Sequence, residues 1–234
     1  MSLRDIKNKI FLSHIPDLKD YNAWIIDVRD FYTYIEVIKQ CLSDEETRKS
    51  QEIRNEETRR LFCLRKGITR IIHSSFLDIN PYEIKYEYTD YGKPLISYSV
   101  NKAFHFNISH SKEYLFVGIA KNGDIGVDIE KINPKLNHFL LASSVFSPDE
   151  LAIYSKYNKL NRIRSFYKAW VQKEAICKAI GVGLSLGFNN FSVNIDPSAN
   201  DVEYSLSIDN LKYLIKIRVK FEKDYVFASA LLTV

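Results

Sequence analysis

The chain has 234 residues and a formal net charge of +4, and apolar and charged residues make up 46% and 26% of it. This is the balance of a soluble globular protein, and so mild a positive charge argues against a nucleic-acid-binding protein. No apolar run approaches the ~20 residues of a membrane helix, no secretory signal is visible, and the three cysteines lack pairing or zinc spacing. We therefore expect a cytoplasmic protein that binds neither nucleic acid nor membrane.

The first half of the chain predicts two strands with helices between them. Residues 23–28 read AWIIDV, which is typical of a strand. The Ser-Asp-Glu-Glu sequence at 43–46 has the form of a capping box and predicts a helix start, and apolar residues at helical spacing continue over 61–76. A second strand is predicted at 84–88, and turn residues follow at 91–94.

The second half opens with three predicted strands. The first, HFNISHS at 105–111, runs into a polar loop. The next two, at 115–120 and 125–130, flank an Asn-Gly pair, which is the strongest short hairpin signal. We therefore expect these two strands to pair with each other as a β-hairpin.

Helices and then further strands are predicted toward the end of the chain. Ser147, Pro148 and Glu150 combine an N-cap, a first-turn proline and a third-position carboxylate, which predicts a helix start. A long helix is predicted from about residue 161, with Gly181 as its C-terminal cap. The remaining chain alternates in strand fashion at 191–195, 204–208, 213–219 and 225–232.

The order of these elements predicts an α+β fold. Strand, helices and strand are followed by strands, helices and strands, which favours two similar α/β lobes related by a pseudo-twofold axis. We expect an N-terminal lobe over residues 1–103 and a C-terminal lobe over residues 104–234.

Two carboxylates stand out in the predicted strand at 125–130. In a strand, Asp128 and Glu130 share one face with Asp124, while apolar residues occupy the other. The apolar residues are Ile125, Val127 and Ile129. Neighbouring carboxylates repel each other unless a cation lies between them, and a hard divalent ion is the usual partner.

The long helix carries a Glu and a Lys inside its apolar stripe. At about 100° per residue, Glu174 and Lys178 fall on the apolar side. Its apolar residues are Ile163, Phe166, Tyr167, Trp170, Val171 and Cys177, and the opposite, polar side carries Arg162, Ser165, Lys168, Gln172 and Lys173. Inward charges need partners. Glu174 and Lys178 either pair with each other, four residues apart, or Glu174 completes a metal site with Asp128 and Glu130 while Lys178 binds a phosphate.

Four motifs in this order resemble those of the Sfp (surfactin synthetase-activating) type of 4′-phosphopantetheinyl transferase. They are GKP at 92–94, FNISHS at 106–111, GVDIE at 126–130 and W-x-x-K-E-A-x-x-K at 170–178. The resemblance implies a monomer of two lobes, with the metal site in the C-terminal lobe and the active site at the lobe interface. It also implies transfer of the 4′-phosphopantetheine arm of coenzyme A to a serine of an apo acyl or peptidyl carrier protein, with release of adenosine 3′,5′-bisphosphate.

The resemblance also implies roles for the acidic residues. Asp128, Glu130 and Glu174 would bind Mg²⁺, or Mn²⁺ in its place, together with the pyrophosphate of coenzyme A, and Asp128 would lie beside the coenzyme. Lys178 is similar in position to the family lysine that contacts the pyrophosphate. Either Glu174 or a metal-bound water would be the general base toward the carrier serine, so Glu174 and Lys178 are the catalytic candidates.

Further residues are implied as contacts of coenzyme A. His110 would contact its 3′-phosphate, with Ser109 beside it. Lys93 would lie near the adenine and phosphate end, and Lys49 would reach the phosphates from the first lobe. Without the resemblance, His110 and Lys93 would be read as an ordinary loop histidine and an exposed turn lysine.

Two family cations are replaced in this chain. One aligns with Glu46, so that contact is expected to be missing. The family arginine of the following helix aligns with Leu61, and either Arg60 after a small helix shift or Arg65 from the next turn takes its place.

Two other functions stay open. The same acidic cluster would suit another magnesium-dependent transferase of phosphorylated, nucleotide-like substrates, although no P-loop or kinase motif is present. A non-catalytic module that binds carrier proteins is the other alternative, against which the complete set of carboxylates argues.

A carrier would dock on the segment after Pro134, through apolar residues that alternatively belong to the core: Leu136, Phe139, Leu140 and Val145.

Overall fold

The structure is a computed structural model that combines helices and antiparallel strands, which confirms the predicted α+β class. It describes residues 2–15, 20–97, 104–181, 183–199, 201–208 and 211–233. Among these residues, no helix combines the length and the apolar character needed to cross a membrane.

The first part of the chain is mostly helical. Its helices and strands are α1 (Leu3–Leu12), β1 (Tyr21–Asp27), α2 (Ile35–Lys39), α3 (Asp44–Glu52), α4 (Glu56–Leu77), β2 (Tyr86–Tyr88) and β3 (Pro94–Ile96), with 3-10 turns at Val28–Tyr34 and Pro81–Glu83. The predicted capping box starts α3, since the Ser43 hydroxyl accepts from the Glu46 backbone N–H and the Glu46 carboxylate accepts from the Ser43 N–H.

The second part alternates between strands and helices. Its elements are β4 (His105–Ser111), β5 (Tyr114–Ala120), β6 (Asp124–Lys131), α5 (His138–Val145), α6 (Pro148–Tyr154), α7 (Lys159–Ile180), β7 (Asp201–Ile208), β8 (Leu211–Glu222) and β9 (Tyr225–Thr233), with 3-10 turns at Gly183–Leu186 and Phe188–Asn190. Gly181 caps α7 in the left-handed conformation, with φ of 84°, as predicted.

Two antiparallel sheets organise the molecule. The first has the order β1-β5-β4, and its apolar core packs against α1 and α4. The second has the order β6-β9-β8-β7, and α7 packs on β6 and β9. The short β2–β3 ribbon forms a separate two-stranded sheet. Apolar residues of β5 and β6 join the two large sheets in a common core.

The predicted hairpin between β5 and β6 is wrong. The two strands belong to different sheets, because β5 pairs with β1 and β4 while β6 pairs with β9. The strands contact each other face to face and are not paired edge to edge by backbone hydrogen bonds. A Cβ added to Gly118 of β5 would lie 2.7 Å from Val127 Cγ1 of β6. The Asn-Gly pair does form a tight connection, with Gly123 at φ 85°, but such a turn leaves the choice of pairing partner to the rest of the chain.

The predicted strand at residues 191–195 is also wrong. Phe191, Val193 and Ile195 are buried in alternation, as in a strand, but the segment joins no sheet. Side chains of α6 and α7 form hydrogen bonds with its backbone groups instead. The Val193 N–H donates to Glu150 Oε1 at 2.6 Å, and Gln172 Nε2 donates to the Asn194 carbonyl at 2.9 Å.

The side of α7 that was predicted to be polar is buried as well. Lys168, Gln172 and Lys173 are fully buried, because α5, α6 and residues 188–195 cover this side while the second sheet covers the other. Each of the three side chains donates hydrogen bonds to backbone carbonyls. The helix is thus held between two layers.

The predicted division at residue 103/104 stays a prediction. Residues 98–103 lie outside the described residues, and β1 from before the division pairs with β5 from after it over seven residue pairs, Tyr21↔Ala120 to Asp27↔Tyr114. The first sheet therefore contains chain from both predicted lobes.

Candidate active site

A glycine brings α7 against β6. A Cβ added to Gly126 would lie 1.9 Å from the Ala175 carbonyl oxygen and 2.5 Å from the Ala179 nitrogen, so only glycine permits this approach. Gly126, Asp128 and Glu130 share the face of β6 that meets α7, and the alternate apolar residues point into the core between the sheets. The predicted separation of the two faces is confirmed.

Asp128 is the centre of a buried polar cluster. Its side chain is only 4% exposed, and its Oδ1 accepts from Lys178 Nζ at 2.5 Å and from Ser109 Oγ at 2.8 Å. Lys178 Nζ also lies 3.2 Å from Ser109 Oγ, so three residues from β4, β6 and α7 meet at one point. The second oxygen, Oδ2, is buried and has no hydrogen-bond partner among the described residues.

Two further carboxylates adjoin this cluster. Burial raises the pKa of Glu130, and the nearby Asp128 carboxylate raises it further. Burial also raises the pKa of Glu174, which Lys178 partly offsets and to which Asp128 and Glu130 add. Three half-buried or buried carboxylates thus share one low-dielectric region with the Lys178 ammonium, an arrangement that favours a bound cation.

The structure shows which carboxylate Lys178 contacts, while its binding of a phosphate stays a prediction. Its ammonium is 3.9 Å from Glu174 Oε2 but 2.5 Å from Asp128 Oδ1. The lysine therefore pairs chiefly with the strand carboxylate and leaves Glu174 with only a long, weak ion pair.

The polar residues of β4 hold the carboxylates of β6 in place. Asn107 Oδ1 accepts from the Val127 N–H at 3.0 Å, and Ser111 Oγ donates to Glu130 Oε2 at 3.2 Å. Ser111 also accepts from the Lys131 N–H. Asn107 and Ser111 were not predicted as site residues, although the alternation Asn-x-Ser-x-Ser with Ser109 places all three on one strand face.

The carboxylates suit a divalent metal ion in their chemistry. Carboxylate oxygens are the protein ligands that Mg²⁺ prefers, and the partnerless Oδ2 of Asp128 is an acceptor that a cation would satisfy. In the described part of the chain, no group of three or more His, Cys, Asp or Glu side chains converges as a metal cage. This is compatible with Mg²⁺, which binds through few carboxylates plus substrate phosphates and water.

A cavity of about 260 Å³ lies beside His110, which follows Ser109 on β4. Its lining includes Arg65, Lys66 and His110 and one carboxylate, Glu46, which is already paired with Arg70. His110 is exposed and lies near the end of β4, inside the strand that was predicted at residues 105–111. Partial burial lowers the pKa of His110, and the nearby cations, Arg65 and Lys178 among them, lower it further. The cavity is therefore suited to an anionic group.

The structure brings Arg65 and not Arg60 to this cavity. Arg65 lines it and donates to the Lys112 carbonyl, and its buried Nε has no partner among the described residues. Arg60 points to another face of α4, where it pairs with Glu56 at 2.9 Å and lies over the Tyr32 ring. The two arginines are five residues apart, which places them on different sides of a helix.

The remaining predicted contacts lie farther out. Lys49 is exposed, pairs with Glu45 at 2.6 Å and lines a wider cleft of about 1050 Å³. Glu46, which replaces a family cation, forms a buried pair with Arg70 at 2.5 Å. Lys93 donates to the Ala179 carbonyl at 2.8 Å instead of pointing into the cavity.

Helix α5 exposes most of the apolar residues that were predicted as a docking surface. Phe139 and Leu140 are 72% and 73% exposed, and Leu136 is partly exposed. Val145 is buried in the core, as the alternative interpretation predicted for the whole set. Leu141 adds a further exposed apolar side chain.

Comparisons with known proteins identify the family. Residues 124–230 match the model of the 4′-phosphopantetheinyl transferase superfamily. The chain is 30% identical over 169 residues to a putative 4′-phosphopantetheinyl transferase of Synechocystis sp., covering 72% of this chain and 67% of the relative. It is 26% identical over 167 residues to the 4′-phosphopantetheinyl transferase HetI of Nostoc sp., covering 71% and 70%.

A third relative is the 4′-phosphopantetheinyl transferase Sfp of Bacillus subtilis, which is 30% identical over 154 residues, with 66% of each chain covered. The family match includes β6 and α7, the two elements that carry the carboxylates and Lys178. On these similarities, the chain belongs to the 4′-phosphopantetheinyl transferase superfamily.

Proposed function

We propose that the protein is a transferase of the Sfp type that modifies an acyl or peptidyl carrier protein. Family membership confirms the predicted activity, transfer of 4′-phosphopantetheine from coenzyme A to a carrier protein. The subtype, the metal ion, the residue roles and the docking surface are the proposal. The observation that carries it is the cluster of Ser109, Asp128 and Lys178 beside two further carboxylates.

The reaction is a displacement at phosphorus. The oxygen of the carrier serine forms a bond with the phosphorus that bears the pantetheine arm, and the bond from this phosphorus to the bridging oxygen breaks. Its electron pair leaves with adenosine 3′,5′-bisphosphate, and the serine proton passes to a base. Catalysis of such a step is mainly positioning and neutralisation of charge.

Asp128, Glu130 and Glu174 are the residues that would hold Mg²⁺ or Mn²⁺. The ion would supply neutralisation of the pyrophosphate and of the leaving group. Ser109 and Ser111 support this role, since their hydroxyls hold the Asp128 and Glu130 carboxylates in orientation.

Lys178 is suited to contact the pyrophosphate, because its ammonium already lies between Asp128 and Glu174 and remains partly exposed. Glu174 is suited to accept the serine proton. Its carboxylate is mostly buried beside Lys178 and faces the proposed site.

Coenzyme A would bind with its 3′-phosphate at the cavity of His110, Arg65 and Lys66, and Lys49 would lie in the wider cleft that shares Lys66 with this cavity. Arg65 would take the place of the missing family arginine. The carrier would dock on α5 through Leu136, Phe139 and Leu140, whose exposure supports this surface. We also propose a two-lobed monomer in the cytoplasm, with the active site between the lobes.

Intact mass spectrometry of a panel of apo carrier proteins tests this function. With enzyme, Mg²⁺ and coenzyme A, at least one carrier gains the mass of one phosphopantetheine group, and a metal chelator prevents the gain. If the folded protein modifies no acyl or peptidyl carrier of the panel, the proposed function is contradicted in favour of one of the two alternative functions. Calorimetric binding of a carrier without modification would then favour the non-catalytic module, and turnover of another phosphorylated substrate would favour a different transferase.

A further inference from the structure

Lys93 was predicted as a coenzyme contact, but its side chain contacts other parts of the protein instead. It lies between the short strands β2 and β3, and its Nζ donates to the Ala179 carbonyl at 2.8 Å. The same nitrogen is 3.7 Å from Asp124 Oδ1. The side chain is only 13% exposed, and its stem packs against the backbone of Gly181, where an added Cβ would lie 3.4 Å from Lys93 Cδ.

The contact with Ala179 closes an open helix end. The last four carbonyls of an α-helix have no partner within the helix, and Ala179 is the second-last residue of α7. The Gly181 N–H satisfies the Cys177 carbonyl, and the Lys93 ammonium satisfies that of Ala179. A cation at this end also interacts favourably with the helix dipole.

The contact with Asp124 connects the helix end to two strands. Asp124 is the first residue of β6, and its Oδ1 lies 2.9 Å from Nδ1 of His105, the first residue of β4. The ammonium of Lys93 therefore lies where β4, β6 and α7 come together. These three elements carry Ser109, Asp128 and Lys178, the central cluster of the candidate site.

The position of the side chain argues against a phosphate contact. Gly92 and Pro94 line the cavity of His110, whereas the Lys93 side chain turns away toward α7. Burial lowers the pKa of Lys93, and Asp124 offsets part of this effect, as for an ammonium enclosed by protein groups.

We propose that Lys93 is a positioning residue that holds the C-terminal end of α7 against the starts of β4 and β6, and that it does not bind the coenzyme phosphate. Lys178 precedes Ala179 directly, so a helix end held in place keeps the Lys178 ammonium at Asp128. This inference rests on the proposed function and reassigns one residue within it.

The test is Lys93→Met, which keeps the length of the stem and removes the ammonium. With an apo carrier that the wild-type enzyme modifies, kcat falls about tenfold or more for coenzyme A and for dephospho-coenzyme A alike, because the site is displaced. Calorimetric affinities for the two ligands keep their ratio. If Lys93→Met instead weakens coenzyme A selectively, the ammonium contacts the 3′-phosphate and the proposal is overturned.

Hydrogen exchange gives a readout that needs no turnover. Amides at the end of α7, at residues 177–181, lose protection in Lys93→Met and keep it in His110→Ala, and Lys93→Arg recovers both protection and kcat. Unchanged protection in Lys93→Met overturns the proposal, even if the variant loses activity. If wild-type protein modifies no carrier, the proposed function fails, while hydrogen exchange and the two affinities still decide the role of Lys93.

Discussion

Helix α7 carries a buried ion pair on each of two sides, and the two differ in how completely they are satisfied. Lys173 Nζ lies 2.6 Å from Glu150 Oε2 and within hydrogen-bond distance of three backbone carbonyls, which share its three N–H donors. The carbonyls belong to Val145, Phe188 and Phe191. Both Glu150 oxygens are also satisfied, by the Val193 and Ser147 N–H groups. On the other side, Asp128 keeps one buried oxygen without a partner in the described chain.

We interpret the first pair as structural and the second as part of the proposed site. A buried polar network with every group paired makes the packing unique, and its loss leaves an uncompensated charge. A network that is only partly satisfied costs stability, and proteins accept this cost chiefly where a ligand completes the network. The neighbours Lys173 and Glu174 thus serve different purposes because they face different layers.

The largest expected effect is on turnover. Asp128→Ala and Glu174→Ala each lower kcat by about 10²–10³-fold or more, because the pyrophosphate charge loses its screening and orientation. Circular dichroism remains that of the folded protein. Asp224→Ala is the control, since this exposed carboxylate also pairs with a lysine, Lys131, at 3.1 Å. Wild-type turnover of either site variant at saturating Mg²⁺ contradicts the site.

The next effect is on stability. Lys173→Met lowers the free energy of unfolding by about 3–5 kcal/mol, because Glu150 is left buried without its counter-ion. The double variant with Glu150→Leu recovers much of this loss. Lys216→Met removes an exposed pair with Asp20 and changes stability by about 1 kcal/mol or less. Urea unfolding measures all three, and equal losses for Lys173 and Lys216 contradict the structural role.

A smaller effect concerns the coenzyme. His110→Ala weakens coenzyme A about tenfold and leaves dephospho-coenzyme A unchanged, since a charge-assisted contact to the 3′-phosphate is lost. The environment lowers the pKa of His110, so the imidazole is mostly neutral at pH 8 without ligand. Bound phosphate favours its charged form, so the difference between wild type and variant is larger at pH 6 than at pH 8. Isothermal calorimetry at both pH values measures this difference, and equal losses for the two ligands exclude the contact.

Loss of docking on α5 is expected to change only the KM for the carrier protein. Phe139→Ser and Leu140→Ser raise KM for the carrier several-fold and leave KM for coenzyme A unchanged, because both side chains already lie in water without a carrier. Leu12→Ser is the control, since Leu12 is an apolar side chain on α1 that is even more exposed, at 88%. An unchanged carrier KM moves the docking surface elsewhere.

The smallest effect tests the carboxylates around Asp128, the side of α7 where the hydrogen bonds are incomplete. The pKa of Glu174 is raised in the folded protein, so its charge lowers stability at pH values above that pKa, and this cost disappears below the unfolded value near 4.5. Without divalent metal, Glu174→Gln therefore raises the Tm by a few degrees at pH 7 and leaves it unchanged at pH 4. A lower Tm at pH 7 contradicts the electrostatic strain at this site.

Local signals in the sequence determined much of the second half. The alternation in β6, the span of α7, its Gly181 cap and the Ser147 capping box are all found as predicted. Each depends on residues two to four positions apart, so neighbours along the chain suffice. The same signals carried the family resemblance, and with it the activity.

Only the tertiary structure decided which segments meet. β6 pairs with β9, a hundred residues away, with Asp128 opposite Ala228, and this displaced the hairpin that the Asn-Gly turn predicted. The Val193 N–H donates to the Glu150 carboxylate, and the strand-like segment at residues 191–195 joins no sheet. The burial of Lys173 and the position of Arg65, not Arg60, at the cavity of His110 likewise depend on which layer covers each helix face. Local periodicity shows which residues share a face, but burial and pairing are set by distant partners that compete for the same surface and hydrogen bonds.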